Sequence, residues 1–181
     1  MKVTYNAERG VAAMKNTRFS NLFSLMLAGL FLVVSAGPGF AVDDREALQG
    51  MTAAKVVFDV KKDDPQKLLR ALTAIRNASE NLTRQGVRPD IVVTFRGASV
   101  VCLADMKEVP EVNEYKEEIM DKISWNIIEL KKAGVQMEIC SLALSLVGME
   151  DTELLPGIKK VGNSLVSLIA YQNKGYAMVA I

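Results

Sequence analysis

A junction that recurs three times in this sequence, a helix followed by a glycine and then by an apolar strand, restricts the chain to few architectures. The three copies are RQG at 84–86 before DIVVTF at 90–95, KKAG at 131–134 before VQMEIC at 135–140, and NKG at 173–175 before YAMVAI at 176–181. Each has basic or amide side chains in the last helical turn and then glycine, the residue that most readily adopts the left-handed conformation past a helix end. The copies therefore predict three helices that each lead into a short apolar strand.

The alternation of helices and strands predicts a single α/β domain over residues 55–181. KVVFDV at 55–60 opens it as a strand, and the order strand, helix, strand is typical of βαβ units with a mostly parallel sheet. The strands are almost entirely apolar, as expected where helices cover both faces of a sheet. We expect a flavodoxin-like, three-layer domain with about five strands, preceded by an exposed lead-in at 42–54.

Residues 1–41 have the features of a secretory signal peptide. Lys15 and Arg18 form a basic region, Leu22 to Ala36 form an apolar region, and small residues end at Ala41, where we predict cleavage. The alternative interpretation is a membrane anchor, but the apolar region is shorter than the roughly 20 residues that a membrane span requires. Met14 is the expected start of translation. The mature protein is then periplasmic or secreted, without a membrane segment.

The charge of the predicted mature chain argues against nucleic acid as a partner. Without residues 1–41 the chain has 18 basic and 20 acidic residues, so it lacks the excess of positive charge that phosphate backbones require. The sequence contains no histidine, which excludes Cys-His and Ser-His catalytic machinery and removes the commonest zinc ligand. It also lacks a P-loop and a dinucleotide-binding glycine pattern. We therefore expect no metal and no cofactor.

Cys140 is the strongest candidate for chemistry. It ends a predicted strand, and the segment from Ser141 can begin a short helix, whose N-terminus would favour the thiolate form. Ligands of parallel sheets lie outside the carboxyl ends of the strands, where Cys140 falls. Two alternatives stay open: a buried structural thiol, or a disulfide with Cys102, the only other cysteine.

Other residues at the same sheet edge are weaker candidates. Arg96, before Gly97, can hold an anionic ligand such as a persulfide or a sulfur oxyanion, and its alternative is a solvated loop arginine. Asp59, at the end of the first strand, is expected to cap a loop or helix. Asn163 or Ser164 is expected to cap the last helix, and Asn163 completes the candidate binding set with Arg96, Gly97 and Ser141.

The order of segments resembles the DsrE/DsrF-like family over about residues 55–181. The resemblance rests on VVFDV, DIVVTFRGASV, MEIC and above all the tail LLPGIKKVGNSLVSLIAYQNKGYAMVAI, taken in that order. It implies a flavodoxin-like fold, assembly into homo-oligomers and, by analogy with members that carry sulfur as a persulfide after a central strand, a sulfur-carrying role for Cys140.

Together these observations predict an exported protein that binds or relays sulfur through a persulfide on Cys140. Whether it is an enzyme, such as a sulfurtransferase, is left open. Its partners would be a sulfur donor or acceptor protein, or a small sulfur compound. Two other functions are compatible with the sequence: an oligomeric binding or scaffold module with structural cysteines, and thiol–disulfide exchange between Cys102 and Cys140.

Overall fold

The computed structural model describes residues 43–103 and 114–181, so the predicted signal peptide lies outside the described residues. The described residues from Asp44 onward form one compact unit. Its sheet has five strands, all parallel, in the spatial order β4-β3-β2-β1-β5. The strands are β1 Ala53–Val60, β2 Arg88–Phe95, β3 Gln136–Cys140, β4 Ile158–Val161 and β5 Ala177–Ala180.

In the part of the chain that the structure describes, four α-helices and one 3₁₀ helix connect the strands. The helices are α1 Pro65–Arg84, α2 Glu114–Lys132, α3 Ser141–Leu146 and α4 Ser164–Asn173, and the 3₁₀ helix is Gly97–Leu103. Asp64 caps α1 by accepting the Lys67 N–H at 2.9 Å, with Pro65 in the first turn. The α/β, three-layer, flavodoxin-like architecture expected from the sequence is confirmed.

The three glycine junctions form the same capping motif. Gly86, Gly134 and Gly175 have φ of 80°, 81° and 84°. At the second junction the Gly134 N–H bonds to Lys131 and the Val135 N–H bonds to Leu130, each at 3.0 Å, and the other two junctions repeat both bonds. These paired bonds define the Schellman motif, which satisfies carbonyls at the helix end and turns the chain into the next strand.

The sheet separates two apolar layers of unequal size. The larger layer lies under α1 and α2 and contains fully buried side chains such as Leu72, Ile127 and Phe95. The smaller layer lies under α4, where Leu168 packs on Val57 and Val92. Because β-strand side chains alternate between faces, Asp59, Thr94 and Glu138, which lie in register, also face α4.

Helix α4 covers its side of the sheet only in part. Leu168 is buried, but Leu165 and Ile169, which the spacing of apolar residues in the sequence predicts to face inward together with Leu168, are 49 % and 61 % exposed. That prediction was wrong because α4 is apolar on several sides, so its periodicity does not identify the face that meets the sheet.

Strand β4 was not predicted as a separate strand. It has only four residues, two of them lysines, and β3 is its one neighbour in the sheet that the described residues form. Lysine is common on edge strands because it discourages pairing with other chains, and it also hides the apolar alternation on which strand prediction depends.

Candidate functional site

Three chain segments meet at the carboxyl edge of the sheet. Strand β3 ends at Cys140, and α3 begins at once with Ser141. Cys140 pairs with Val161 at the end of β4, so the loop that follows β4 brings the N-terminus of α4 to the sulfur. The Leu142 N–H bonds to the Gly162 carbonyl at 3.2 Å and ties the two helix starts together.

The Cys140 thiol lies at the N-termini of both helices. The Ser164 backbone N–H donates to Sγ at 3.5 Å, and Cys140 is only 5 % exposed. Burial opposes ionisation, but hydrogen bonds from the Ser164 N–H and hydroxyl and from the Ala143 and Leu142 N–H groups outweigh it, so the pKa of Cys140 is lowered. The helix expected after Cys140 is present, and its Ala143 and Leu142 N–H groups favour the thiolate together with Ser164.

Ser164 is a site residue that the sequence analysis missed. It is fully buried, and apart from the Cys140 sulfur its hydroxyl has no hydrogen-bond partner among the described residues. Its proton is therefore available to a sulfur anion on Cys140. In a sequence, a serine at the start of a helix indicates only an ordinary cap. The pairing of β3 with β4 is what places Ser164 against the sulfur.

Arg96 is not a solvated loop residue. Its Nε and Nη2 donate to Oδ1 and Oδ2 of Asp59, both at 2.7 Å. Asp59 is 4 % exposed, and its carboxylate makes this two-point ion pair rather than the loop or helix cap that we predicted. The hydrogen bonds with Asp59 raise the pKa of Arg96, and the nearby Cys140 raises it further.

Cys102 and Cys140 are both free thiols in the structure. The disulfide that the sequence left open is therefore absent. Cys102 lies in the 3₁₀ helix and joins the larger apolar layer. Burial, followed by the negative charges of Asp64 and Asp63, raises its pKa. The two thiols thus have opposite electrostatic environments.

The remaining predicted residues line the same edge. Gly97 begins the 3₁₀ helix directly after Arg96, and Ser141 is the first residue of α3. Asn163 caps α4 as expected, since its Oδ1 accepts the Leu165 N–H at 2.9 Å. Their roles in ligand binding stay predictions.

A carboxylate–phenol pair lies beside the site, on the face that α4 covers. The Tyr171 hydroxyl donates to Glu138 Oε1 at 2.8 Å, while Glu138 Oε2 is buried and has no hydrogen-bond partner among the described residues. Burial, then the bond to Glu138, raises the pKa of Tyr171 to about 12. Glu138 precedes Cys140 by two residues on one strand, so the two side chains are neighbours on one face.

Within residues 43–103 and 114–181, the structure offers neither a metal-binding cluster nor a membrane-spanning helix. No three side chains of histidine, cysteine, aspartate or glutamate come together there as a metal-binding group. No helix in these ranges has both the length and the apolar character that crossing a membrane requires.

Comparisons with known proteins identify relatives of this chain. The family model for the DsrE/DsrF-like family matches residues 29–181. An uncharacterized protein of Aquifex aeolicus (strain VF5) is 29 % identical over 126 residues, which cover 69 % of this chain and 55 % of that protein. The chain thus spans about half the length of this relative.

Two solved structures have a similar fold. A protein of unknown function from Methanobacterium thermoautotrophicum is 25 % identical, with a TM-score of 0.55. The ychN protein of E. coli is 15 % identical, with a TM-score of 0.53. Each alignment covers 71 % of this chain and 99 % of the other. Because the family model spans most of the sequence, including the whole described domain, this chain belongs to the DsrE/DsrF-like family.

Proposed function

We propose that this protein carries sulfur as a persulfide on Cys140. The observation that carries the proposal is the position of Sγ at the start of two helices, where the Ser164 N–H reaches it and the pKa of the thiol is lowered. A thiolate is the form of cysteine that attacks sulfur, and a persulfide anion would find the same donors. Membership of a sulfur-relay-type family supports the same function.

The proposed loading step needs no oxidant. The Cys140 thiolate attacks the outer sulfur of a donor persulfide, and a new S–S bond forms at Cys140. The S–S bond of the donor breaks, and its electron pair leaves on the donor thiolate. Delivery of the sulfur repeats this step with the roles exchanged. An acceptor thiolate attacks the outer sulfur of the Cys140 persulfide, and Cys140 leaves as the thiolate.

We assign to Arg96 the role of binding the negatively charged sulfur group that reaches Cys140. Its guanidinium stays protonated beside Asp59, and it follows β2 at the edge where β3 presents Cys140. Charge-assisted hydrogen bonds from arginine suit both a persulfide and a sulfur oxyanion. A donor or acceptor protein, or a small sulfur compound, would satisfy this chemistry.

We also propose that the protein is exported and forms homo-oligomers. The export proposal rests on the signal-peptide features of residues 1–41. The oligomer proposal rests on the outer side of α4, where Leu165, Val166 and Ile169 are all exposed. Adjacent apolar side chains on one helix face are typical of a contact surface.

The test is sulfur loading followed by intact-mass measurement. The folded protein is incubated with a small-molecule persulfide donor or with thiosulfate, desalted and measured under non-reducing conditions. We expect a species that is heavier by one sulfur atom and that disappears on reduction.

Two cysteine variants make the result specific. Cys140→Ser should not gain sulfur, whereas Cys102→Ser, the matched control, should gain as much as the wild type. The function would be refuted by a wild-type protein that stays unmodified with both donors, or by uptake that survives Cys140→Ser.

A further inference from the structure

Asp59 is a buried carboxylate whose two oxygens bond to one guanidinium. Oδ1 accepts from Nε and Oδ2 accepts from Nη2 of Arg96, each at 2.7 Å. Such fork geometry fixes the orientation of an arginine side chain. Because burial makes an unpaired charge costly, each of these two residues holds the other in place.

The strand register brings this ion pair to the sulfur. Val60 pairs with Phe95, and Phe95 pairs with Ile139. Arg96 and Cys140 are the next residues after Phe95 and Ile139, and neighbouring strands are only about 4.8 Å apart. The Arg96 N–H bonds to the Val60 carbonyl at 3.1 Å, so its backbone continues the β1–β2 ladder. Alternation directs Asp59 and Cys140 to the same face.

The guanidinium has hydrogen-bonding capacity beyond Asp59. Arginine carries five N–H donors, and Asp59 accepts from two of its nitrogens. No hydrogen bond in the described part of the chain uses the remaining N–H groups. The side chain is also partly exposed, so a second anion can reach it while Asp59 stays bound.

We propose that Asp59 is a positioning residue that sets the reactivity of Cys140 through Arg96. It fixes the guanidinium beside the sulfur and balances its charge, so the sulfur meets a neutral ion pair instead of a free cation. The inference rests on the proposed function in taking Cys140 as the reacting sulfur.

This charge balance suits a sulfur that must be both accepted and released. The helix N-termini already favour the anion at Cys140, and an unbalanced arginine would favour it further. The nucleophilicity of a thiolate falls as its pKa falls, so excess positive charge would make Cys140 a weaker attacking group. It would also hold a persulfide anion more tightly.

The test measures the pH dependence of Cys140 alkylation by iodoacetamide in the Cys102→Ser background. Asp59→Asn leaves Arg96 unbalanced, and we expect the apparent pKa of the thiol to fall by about one unit. Arg96→Gln leaves the Asp59 carboxylate unbalanced, and we expect the pKa to rise. The double variant Asp59→Asn/Arg96→Gln should return it to near the parent value.

Several other groups on this face could affect the titration. They are Glu138 on β3, Lys159 on β4 in register with Glu138, and Tyr171 on α4. All three are unchanged in every variant, so differences between variants report the Asp59–Arg96 pair.

Charge balance predicts that Asp59→Asn and Arg96→Gln shift the pKa of the Cys140 thiol in opposite directions. If the pair were only structural, both single variants would loosen this edge of the sheet and shift the pKa of the Cys140 thiol in the same direction. That result, or an unchanged pKa in both variants, overturns the proposal. If Arg96→Gln does not fold, Asp59→Asn must still lower the pKa and the double variant must still restore it. Alkylation needs no sulfur donor, so failure here leaves persulfide loading intact as a separate result.

Discussion

Two cysteines of one small domain differ because of the hydrogen-bond donors around them. Both are buried, and burial alone raises the pKa of a thiol, as it does at Cys102. At Cys140 the donors of two helix starts reverse that effect. The sequence could indicate the helix after Cys140, because Ser141 follows the strand directly. It could not indicate Ser164, which is 24 residues away and arrives through strand pairing.

Asp59 shows a similar limit of sequence reasoning. An aspartate at the end of a strand is a common cap, and nothing local distinguishes that role from an ion pair with a residue on the next strand. The distinction depends on the register that aligns β1 with β2. Arg96 was identified as an anion-binding candidate, but its partner was not.

Tyr171 carries a prediction about stability. Tyr171→Phe removes the hydrogen bond to Glu138 and leaves both oxygens of this buried carboxylate without a partner in residues 43–103 and 114–181. We expect a loss of about 1–3 kcal/mol in the free energy of unfolding, measured by urea denaturation at pH 8. Tyr176→Phe is the matched control, because its partner Asp90 is less buried and can bond to water, so its loss should be smaller.

Tyr171→Phe also tests how the contribution of Tyr171 to the free energy of unfolding depends on pH. Folding raises the pKa of Tyr171 from 10.0 to about 12, so its contribution to stability is complete below pH 10 and is lost as the pH rises toward 12. The difference between wild type and Tyr171→Phe should therefore shrink from pH 8 to pH 11. An equal difference at both pH values would disprove this role of the phenol.

At the level of elements, the glycine junctions were the most predictable part of the fold. A Schellman cap depends on a few consecutive residues, so helix ends at 86, 134 and 175 could be inferred locally. The short edge strand β4 could not be inferred in this way. It has four residues, and because two of them are lysines almost no apolar pattern remains. Helix α4 was predicted, but its buried face was not.

Gly134→Ala tests the second junction. Gly134 has φ of 81°, and an added Cβ would meet no atom within 4 Å. The cost is therefore conformational, and we expect about 1 kcal/mol of destabilisation in thermal or urea unfolding. Gly162→Ala is the control, because that position is equally open but lacks a positive φ. Equal effects of the two substitutions would show that the left-handed backbone does not determine the cost.

For the molecule as a whole, the uneven coverage of the sheet predicts self-association. Val166 and Ile169 on α4 are 62 % and 61 % exposed, and burying such side chains contributes about 25 cal/mol per Å². We expect the wild type to sediment as an oligomer at micromolar concentration and Ile169→Lys to shift it toward monomer.

The control for self-association is Ile128→Lys, an exposed apolar position on α2 at the opposite face of the sheet. It should leave the oligomer intact. A monomeric wild type, or an equal shift in both variants, would contradict the assignment of α4 as the contact surface.

The sulfur-carrying role of Cys140 is tested most directly by locating the added sulfur in the folded protein. After loading with a persulfide donor and alkylation without reduction, trypsin places Cys102 in peptide 97–107 and Cys140 in peptide 133–159. We expect the extra sulfur only in peptide 133–159, and its loss after exposure to an acceptor thiol. Extra sulfur in peptide 97–107, or none in either peptide, would contradict the proposed function.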